Sequence, residues 1–279
     1  MNESTPIERI FSFWEPEAKL PGYIRLCMRT WQKYLPEREI SICDYQKLNK
    51  YLTPEEYAAV DCRSLSLPMQ SDAYRCALLL KHGGIWFDAD TIITPAFDPQ
   101  FFCKGDFCCI GNRDSGFING AYFYAHKPGV SFVKKWYEGL LEHLAEYRKF
   151  IKWSPWLQIF NRPRWRIVRC WNFCLNSIID PLVKEYNSPQ VVVINRMDIM
   201  ALPELIYSKT AGQDDRDAYR RFWFSKENTP EKWEALERSK GIIMLHNSWT
   251  LPEFKQMNEE EFLKSDCFLA VYLKKILEL

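Results

Sequence analysis

The chain has 279 residues, with 37 basic and 36 acidic side chains and a formal net charge of +1. That balance excludes a globally basic nucleic-acid binder and an acidic-tail protein. An apolar content of 47% with 15% aromatics excludes whole-chain disorder and supplies a core for one large domain or two small ones.

No stretch approaches 18 consecutive apolar residues, so no membrane span is expected. The N-terminal MNESTPIERIF has no basic region followed by an apolar run, so it does not read as a signal peptide, and a cytosolic protein is expected. The ten cysteines follow no framework spacing and form no C-x-x-C pair. They read as small buried hydrophobes in a reducing compartment.

In chain order, Ile10–Trp14 is a short apolar strand ended by Glu15-Pro16. Tyr23, Leu26, Cys27, Thr30 and Trp31 recur at helical spacing until Pro36, and Ile40–Cys43 alternates as a second strand. This β-α-β opening predicts an α/β protein with parallel strands. Pro68 opens a helix whose apolar stripe is Ala73, Cys76, Ala77 and Leu80, and Gly83-Gly84 ends it. His82, at that end, reads as a helix-terminal cation. Ile85-Trp86-Phe87 is a buried strand followed by Asp88-Ala89-Asp90-Thr91. Further strands are predicted at 107–110, 121–125, 191–194 and 242–245, with helices at 130–146 and 268–279. Thr229 is the predicted N-cap of a helix beginning at Pro230.

Two carboxylates at i and i+2 in extended chain point the same way. At a strand's C-terminal end they face the crevice where open α/β sheets bind ligands. With a nearby phosphate they supply the hard oxygens that Mg²⁺ or Mn²⁺ takes. Asp88 and Asp90 are therefore the leading metal candidates. On the preceding helix Asp72 and Arg75 share a face, opposite the apolar stripe, from which they could reach a sugar hydroxyl and a phosphate. The plainer alternative is a structural Asp–Arg pair.

The stretch Ser71-Asp72-Ala73-Tyr74-Arg75 through Gly83-Gly84-Ile85-Trp86-Phe87-Asp88-Ala89-Asp90-Thr91 resembles the signature of DXD-motif sugar-nucleotide glycosyltransferases. The nearest groups are the capsular polysaccharide synthesis transferases and the yeast-type initiating mannosyltransferases, and the large clostridial glucosylating toxins share the signature. The similarity runs over roughly residues 8–145, with a C-terminal tag at 246–249. It implies a GT-A fold: a Rossmann-like, nucleotide-binding mixed sheet flanked by helices. One catalytic domain over 1–279 is expected, including a helical basic-aromatic insertion at 147–190.

The resemblance also implies roles. Trp14 would stack on the nucleotide base. Asp72 would hold donor-sugar hydroxyls, and Arg75 the sugar or its phosphate. Asp88 would lie near ribose and metal, and Asp90 would bind the metal. Asn119 would contact the donor sugar. His246-Asn247-Ser248-Trp249 would cap the diphosphate, with His246 or Ser248 completing the metal shell and the Trp249 indole N–H meeting the leaving phosphate. Asp72, Arg75, Asp88 and Asp90 form the catalytic set. Ile179-Asp180-Pro181-Leu182 matches the family's middle segment poorly, and Asp180 receives no role. The implied reaction is metal-dependent transfer, with retention, of a hexose or N-acetylhexosamine from a nucleotide sugar, UDP preferred. The acceptor would be a lipid-linked glycan of surface polysaccharide synthesis.

Residues 147–173 carry seven basic side chains, no acid and eight aromatics. Arg148, Lys149, Lys152, Arg162, Arg164, Arg166 and Arg169, interleaved with Trp153, Trp156 and Trp165, suit an anionic membrane surface or a lipid-linked acceptor. The alternative is an insertion packed on the catalytic domain. Docking there would make the enzyme cytoplasmic and peripheral on the inner membrane face; nucleic acid is not expected as a partner.

Two rival readings are weaker. A haloacid-type aspartate phosphatase would need Thr or Val where Ile92 stands and an Asp where Ile110 follows Gly105-Asp106. A non-catalytic membrane- or partner-binding protein on a transferase scaffold would not need Asp72, Arg75, Asp88 and Asp90 intact.

Overall fold

A computed structural model of the chain describes residues 9–152, 173–186, 188–199 and 213–279. The chain forms two compact units, each assembled from separated segments.

The first unit comprises Met1–Glu17, Ser41–Phe87 and Cys103–Val193. Its strands are β1 (Ile10–Phe13), β2 (Ile40–Cys43), β3 (Gly84–Phe87), β5 (Phe107–Asn112), β6 (Phe117–Ala125) and β7 (Val191–Asn195). They form one sheet in the order β2-β1-β3-β6-β5-β7. Strands β1 and β3 are parallel, with Phe11 opposite Trp86, whereas β3 and β6 are antiparallel, with Phe87 opposite Tyr122. This is a mixed α/β sheet flanked by helices, as the β-α-β opening predicted.

Around the sheet lie α2 (Tyr45–Tyr51), α3 (Pro54–Val60), α4 (Leu67–His82), α6 (Ser131–Lys152) and α7 (Asn176–Glu185). The sequence does not announce α2 and α3 by a long periodic pattern. Their starts are nonetheless local chemistry: the Asp44 carboxylate accepts from the N–H groups of Gln46 and Lys47, and Thr53 with Glu56 forms a capping box. The core packs β1, α4, β6 and α6 together, with Phe107, Phe123, Phe132 and Trp136 in mutual ring contact.

Helix α4 fixes the geometry that follows. Gly83 ends it at φ +66°, donating its N–H to the Leu79 carbonyl. Gly84 follows at φ +87°, where a Cβ would stand 2.3 Å from the Arg9 carbonyl oxygen. The second glycine thus lets β3 start directly beside the chain entering β1, and the Ile85 N–H donates to that same carbonyl at 2.8 Å. The expected single apolar stripe is corrected: Met69 through Leu79 is buried on nearly every side, apart from Ser71. Asp72 and Arg75 are among the buried residues. His82 is also corrected. Its Nε2 lies 2.8 Å from the Tyr51 carbonyl, and burial lowers its pKa, which disfavours the cationic form.

The second unit comprises Ala18–Ile40, Asp88–Phe102 and Ile194–Leu279. It contains α1 (Gly22–Tyr34), β4 (Thr91–Ile93), α5 (Pro99–Phe102), α8 (Arg196–Ile199), α9 (Gln213–Phe224), α10 (Pro230–Glu237), β8 (Ile242–Met244), α11 (Pro252–Gln256), α12 (Glu259–Lys264) and α13 (Phe268–Leu277). Strand β4 pairs antiparallel with β8, Thr91 opposite Met244. Helix α1 is tied to β4 twice: the Trp31 indole donates to the Thr91 carbonyl at 2.7 Å, and Thr30 Oγ1 accepts from the Ile93 N–H at 2.9 Å.

Of the described cysteines, all but the half-buried Cys103 are buried, and all are free thiols, as the composition suggested. Among the described residues no helix is long and apolar enough to cross a membrane.

Candidate active site

In the first unit, α4 carries Asp72 and Arg75 one turn apart, and they form a buried ion pair of 3.1 Å. The Arg75 guanidinium is 2% exposed and lies over the rings of Trp86 and Phe123, 4.9 and 5.3 Å from their centroids. Its charge is therefore held by a carboxylate and two π-faces. The structural Asp–Arg pair, raised as the plainer alternative, is present; it aligns a cation without excluding a part in binding.

Asn119 lies where β6 departs from regular pairing. Cys109 faces Phe123 and Ile110 faces Asn119, so residues 120–122 bulge out of the β5–β6 ladder. The Asn119 side-chain oxygen accepts from the Ala121 N–H at 2.8 Å within this bulge. The bulge also brings Gly120 against Arg75: a Cβ there would lie 2.6 Å from Nη1. Sequence reasoning passed over Gly120, although a glycine beside Asn119 in a strand was a usable signal. Trp14 closes β1, half-buried, with its N–H on the Cys43 carbonyl at 2.9 Å.

Asp180 acts inside the fold. Its carboxylate accepts from the Ile118 N–H at 3.1 Å and from the Asn176 amide at 3.0 Å, and burial raises its pKa. It anchors α7 to β6.

In the second unit the acidic pair follows β3 directly in sequence. The two residues do not lie in extended chain, as the spacing argument assumed. The Thr91 N–H donates to the Asp88 carbonyl at 2.9 Å, closing a tight turn that redirects the chain into β4. Asp90 Oδ2 accepts from the Asn247 N–H at 2.8 Å, and its carbonyl accepts from the Leu245 N–H at 3.1 Å. Burial, and then the neighbouring charge of Asp88, raises the Asp90 pKa from its ordinary 3.8 to about 7.

The segment after β8 builds the surroundings of Asp90. His246 and Trp249 stack at 4.4 Å between centroids, and Tyr219 meets both rings edge-on at 5.7 Å. Burial lowers the His246 pKa to about 4, so its ring is neutral. Among the described residues no three His, Cys, Asp or Glu side chains gather as a metal-holding group. The ring of His246, the residue expected with Ser248 to complete the metal shell, is held in this aromatic stack. Trp249 is buried and Ser248 exposed.

Several neighbours carried no motif and were missed. Tyr23, on α1, donates to the Asn247 side-chain oxygen at 2.6 Å. The Tyr219 hydroxyl accepts from the His246 N–H at 2.9 Å. Arg220 donates to the Trp249 carbonyl at 2.9 Å. The Lys255 pKa is lowered by burial and then by Arg220, while Asp90 acts on it in the opposite direction. Positive charge thus accompanies the carboxylates.

Residues 1–160, more than half of the chain, match the family described as capsular polysaccharide synthesis protein. The chain belongs to that family. Its D-x-D segment lies inside the matched region, and the membership places the protein in capsular polysaccharide synthesis.

Two solved structures are similar. One is a glycosyltransferase involved in the glycosylation of the major capsid of PBCV-1, at 14% identity and TM-score 0.40, covering 89% of this chain and 97% of that one. The other is the PaToxG glycosyltransferase, at 13% identity and TM-score 0.41, covering 83% and 84%. No curated protein matches the chain.

The membrane-docking set divides. The Arg148 guanidinium donates through one nitrogen to the carbonyls of Ala58, Ala59 and Asp61. Lys149 is exposed on α6. Trp153, Trp156, Arg162, Arg164, Trp165, Arg166 and Arg169 lie outside the described residues, as does the Lys152 side chain.

Proposed function

We propose that this family member is a divalent-metal-dependent hexosyltransferase. It moves a hexose or N-acetylhexosamine from a nucleotide sugar, UDP preferred, to a lipid-linked glycan on the inner membrane face, with retention of anomeric configuration. The observation that carries the metal reading is the Asp88–Asp90 turn. Two carboxylates share one short turn, and one of them, half-buried, is held in place by a backbone N–H. Their mutual repulsion is what a dication relieves, and their hard oxygens suit Mn²⁺ or Mg²⁺.

A dication held by Asp88 and Asp90 would supply positive charge against the diphosphate that leaves as the anomeric C–O bond breaks. The chain's own residues have separate work. Arg75, fixed by Asp72 and two aromatic faces, presents a cation that cannot wander. Asp72 and Asn119 accept hydrogen bonds from sugar hydroxyls. Arg220 and Lys255 add positive charge in the second unit.

The test is hydrolysis and transfer with a panel of UDP- and GDP-sugars, with Mn²⁺, with Mg²⁺ and with EDTA. Turnover should require the metal, and Asp90→Asn should abolish it while the protein stays folded. Near-wild-type turnover of Asp90→Asn in Mn²⁺ would sink the assignment. Co-sedimentation with anionic liposomes tests the membrane part, and no binding at low salt would count against it.

A further inference from the structure

The second unit holds a cleft that none of the residues expected to bind donor or metal lines. Its volume is about 560 Å³, and it runs between residues 18–22 with Arg25 on one side and residues 255–260 on the other. Sites for small ligands have volumes of roughly 300–1,000 Å³. The two walls are tied together: the Gly22 N–H donates to the Met257 carbonyl at 2.9 Å, and a Cβ on Gly22 would stand 2.3 Å from the Asn258 carbonyl carbon. Asn258 in turn caps α12 in a reciprocal box with Glu261. The cleft is thus formed by the fold before any ligand arrives.

Its charge is unbalanced. Lys19, Arg25 and Lys255 line it, and so do Glu259 and Glu260. Each acid is already answered by a cation outside the cleft: Glu259 pairs with Arg29 at 3.2 Å, and Glu260 pairs with Lys264 one turn on. Lys19 and Lys255 have no ion-pair partner among the described residues. A surplus of positive charge therefore faces the cleft. Lys255 is half-buried and lies within the electrostatic reach of Asp90, so this wall adjoins the acidic turn. No lining residue is aromatic, which leaves a nucleobase no face to stack on. Gln256 adds an exposed amide, able both to donate to and to accept from sugar hydroxyls.

We propose that this cleft is the acceptor site, and that it takes a glycan bearing an acidic sugar whose carboxylate is met by Lys19 and Lys255. This rests on the nucleotide-sugar transfer reading above and adds the chemical class of the acceptor to it. A neutral glycan would leave both ammonium groups unanswered.

The experiment is calorimetric titration of tetragalacturonate and of a hyaluronan tetrasaccharide, each beside its methyl ester, into the full chain with Mn²⁺ and saturating UDP or GDP. Glucose 1-phosphate is a further arm. The acids should bind about 5-fold or more tighter than their esters at low salt, and the gap should close in about 1 M salt, where charges are screened within about 3 Å. Lys19→Gln and Lys255→Gln should each weaken the acids about 2- to 5-fold, the range of an exposed ion pair, and leave the esters unchanged, so that the acid-to-ester ratio is its own control for folding. Equal affinity for acid and ester, a ratio that neither variant alters, or tighter binding of glucose 1-phosphate than of either uronate would each overturn the proposal. If the wild-type chain binds neither UDP nor GDP in Mn²⁺, the nucleotide-sugar reading itself fails, an outcome distinct from these.

Discussion

Replacing Asp90 by Asn should stabilise the metal-free protein while destroying its activity. The Asp90 carboxyl titrates near 7 against an ordinary 3.8, through burial and then Asp88. About 3 pKa units set an upper bound on the order of 4 kcal/mol. Asp90 keeps a partly exposed surface, and solvent screening reduces this to roughly 1–3 kcal/mol. The sign follows from proton counting. Between about pH 4 and 7 the folded carboxyl holds a proton that the unfolded one has lost, so stability falls as pH rises through that window, and the cost is complete above it. Asparagine removes the charge and with it the slope. In EDTA at pH 8, Asp90→Asn should melt roughly 2–8 °C above wild type; near pH 4 the difference should vanish. Adding Mn²⁺ should raise the wild-type melting point and leave the variant's unchanged. Parallel pH–stability curves for the two proteins, or equal Mn²⁺ stabilisation of both, would refute the reasoning.

Three further outcomes are expected. Gly120→Ala places a Cβ 2.6 Å from Arg75 Nη1 and 3.1 Å from Leu175, so kcat/KM should fall about 10-fold or more, with a stability loss of roughly 1–3 kcal/mol by thermal melting. Gly84→Ala should destabilise by at least about 2 kcal/mol in urea titration, since φ +87° and the Arg9 carbonyl at 2.3 Å both oppose a side chain. Asp180→Ala should cost roughly 1–3 kcal/mol of stability by stranding the Ile118 N–H, with kcat within about threefold of wild type; a thousandfold fall in kcat at unchanged stability would instead make Asp180 catalytic.

The parts of the fold legible in the sequence were those written in local chemistry. Gly83-Gly84 marked both the end of α4 and the start of β3, because only glycine accepts those backbone angles without strain. The β1, β3 and β6 strands were visible as short apolar runs, and Asp72 and Arg75 as a one-turn pair. Their burial was not legible. The stripe argument placed them opposite the core, whereas Trp86 and Phe123, from two different strands, cover Arg75. The extended D-x-D failed for a similar reason: β4 pairs with β8 and not with the neighbours of β3, and the chain must turn to reach it. Tyr23, Tyr219 and Asn247 were invisible as a set because their meeting depends on tertiary pairing. A tyrosine at a helical position reads as core, and all three partly are.

The Asp90–Asn247 bond spans 157 residues, and that distance has a consequence for the order of events during synthesis. The signature helix and the acidic turn leave the ribosome early. The strand that pairs with β4 is made long after them, and the N–H that fixes the Asp90 carboxylate follows Asp90 by 157 residues. A nascent chain carries the whole recognisable motif yet lacks the bond that orients it. A fragment stopping at residue 160 would display the family signature with β4 unpaired. The carboxylate is thus set by chemistry that the family signature does not itself contain.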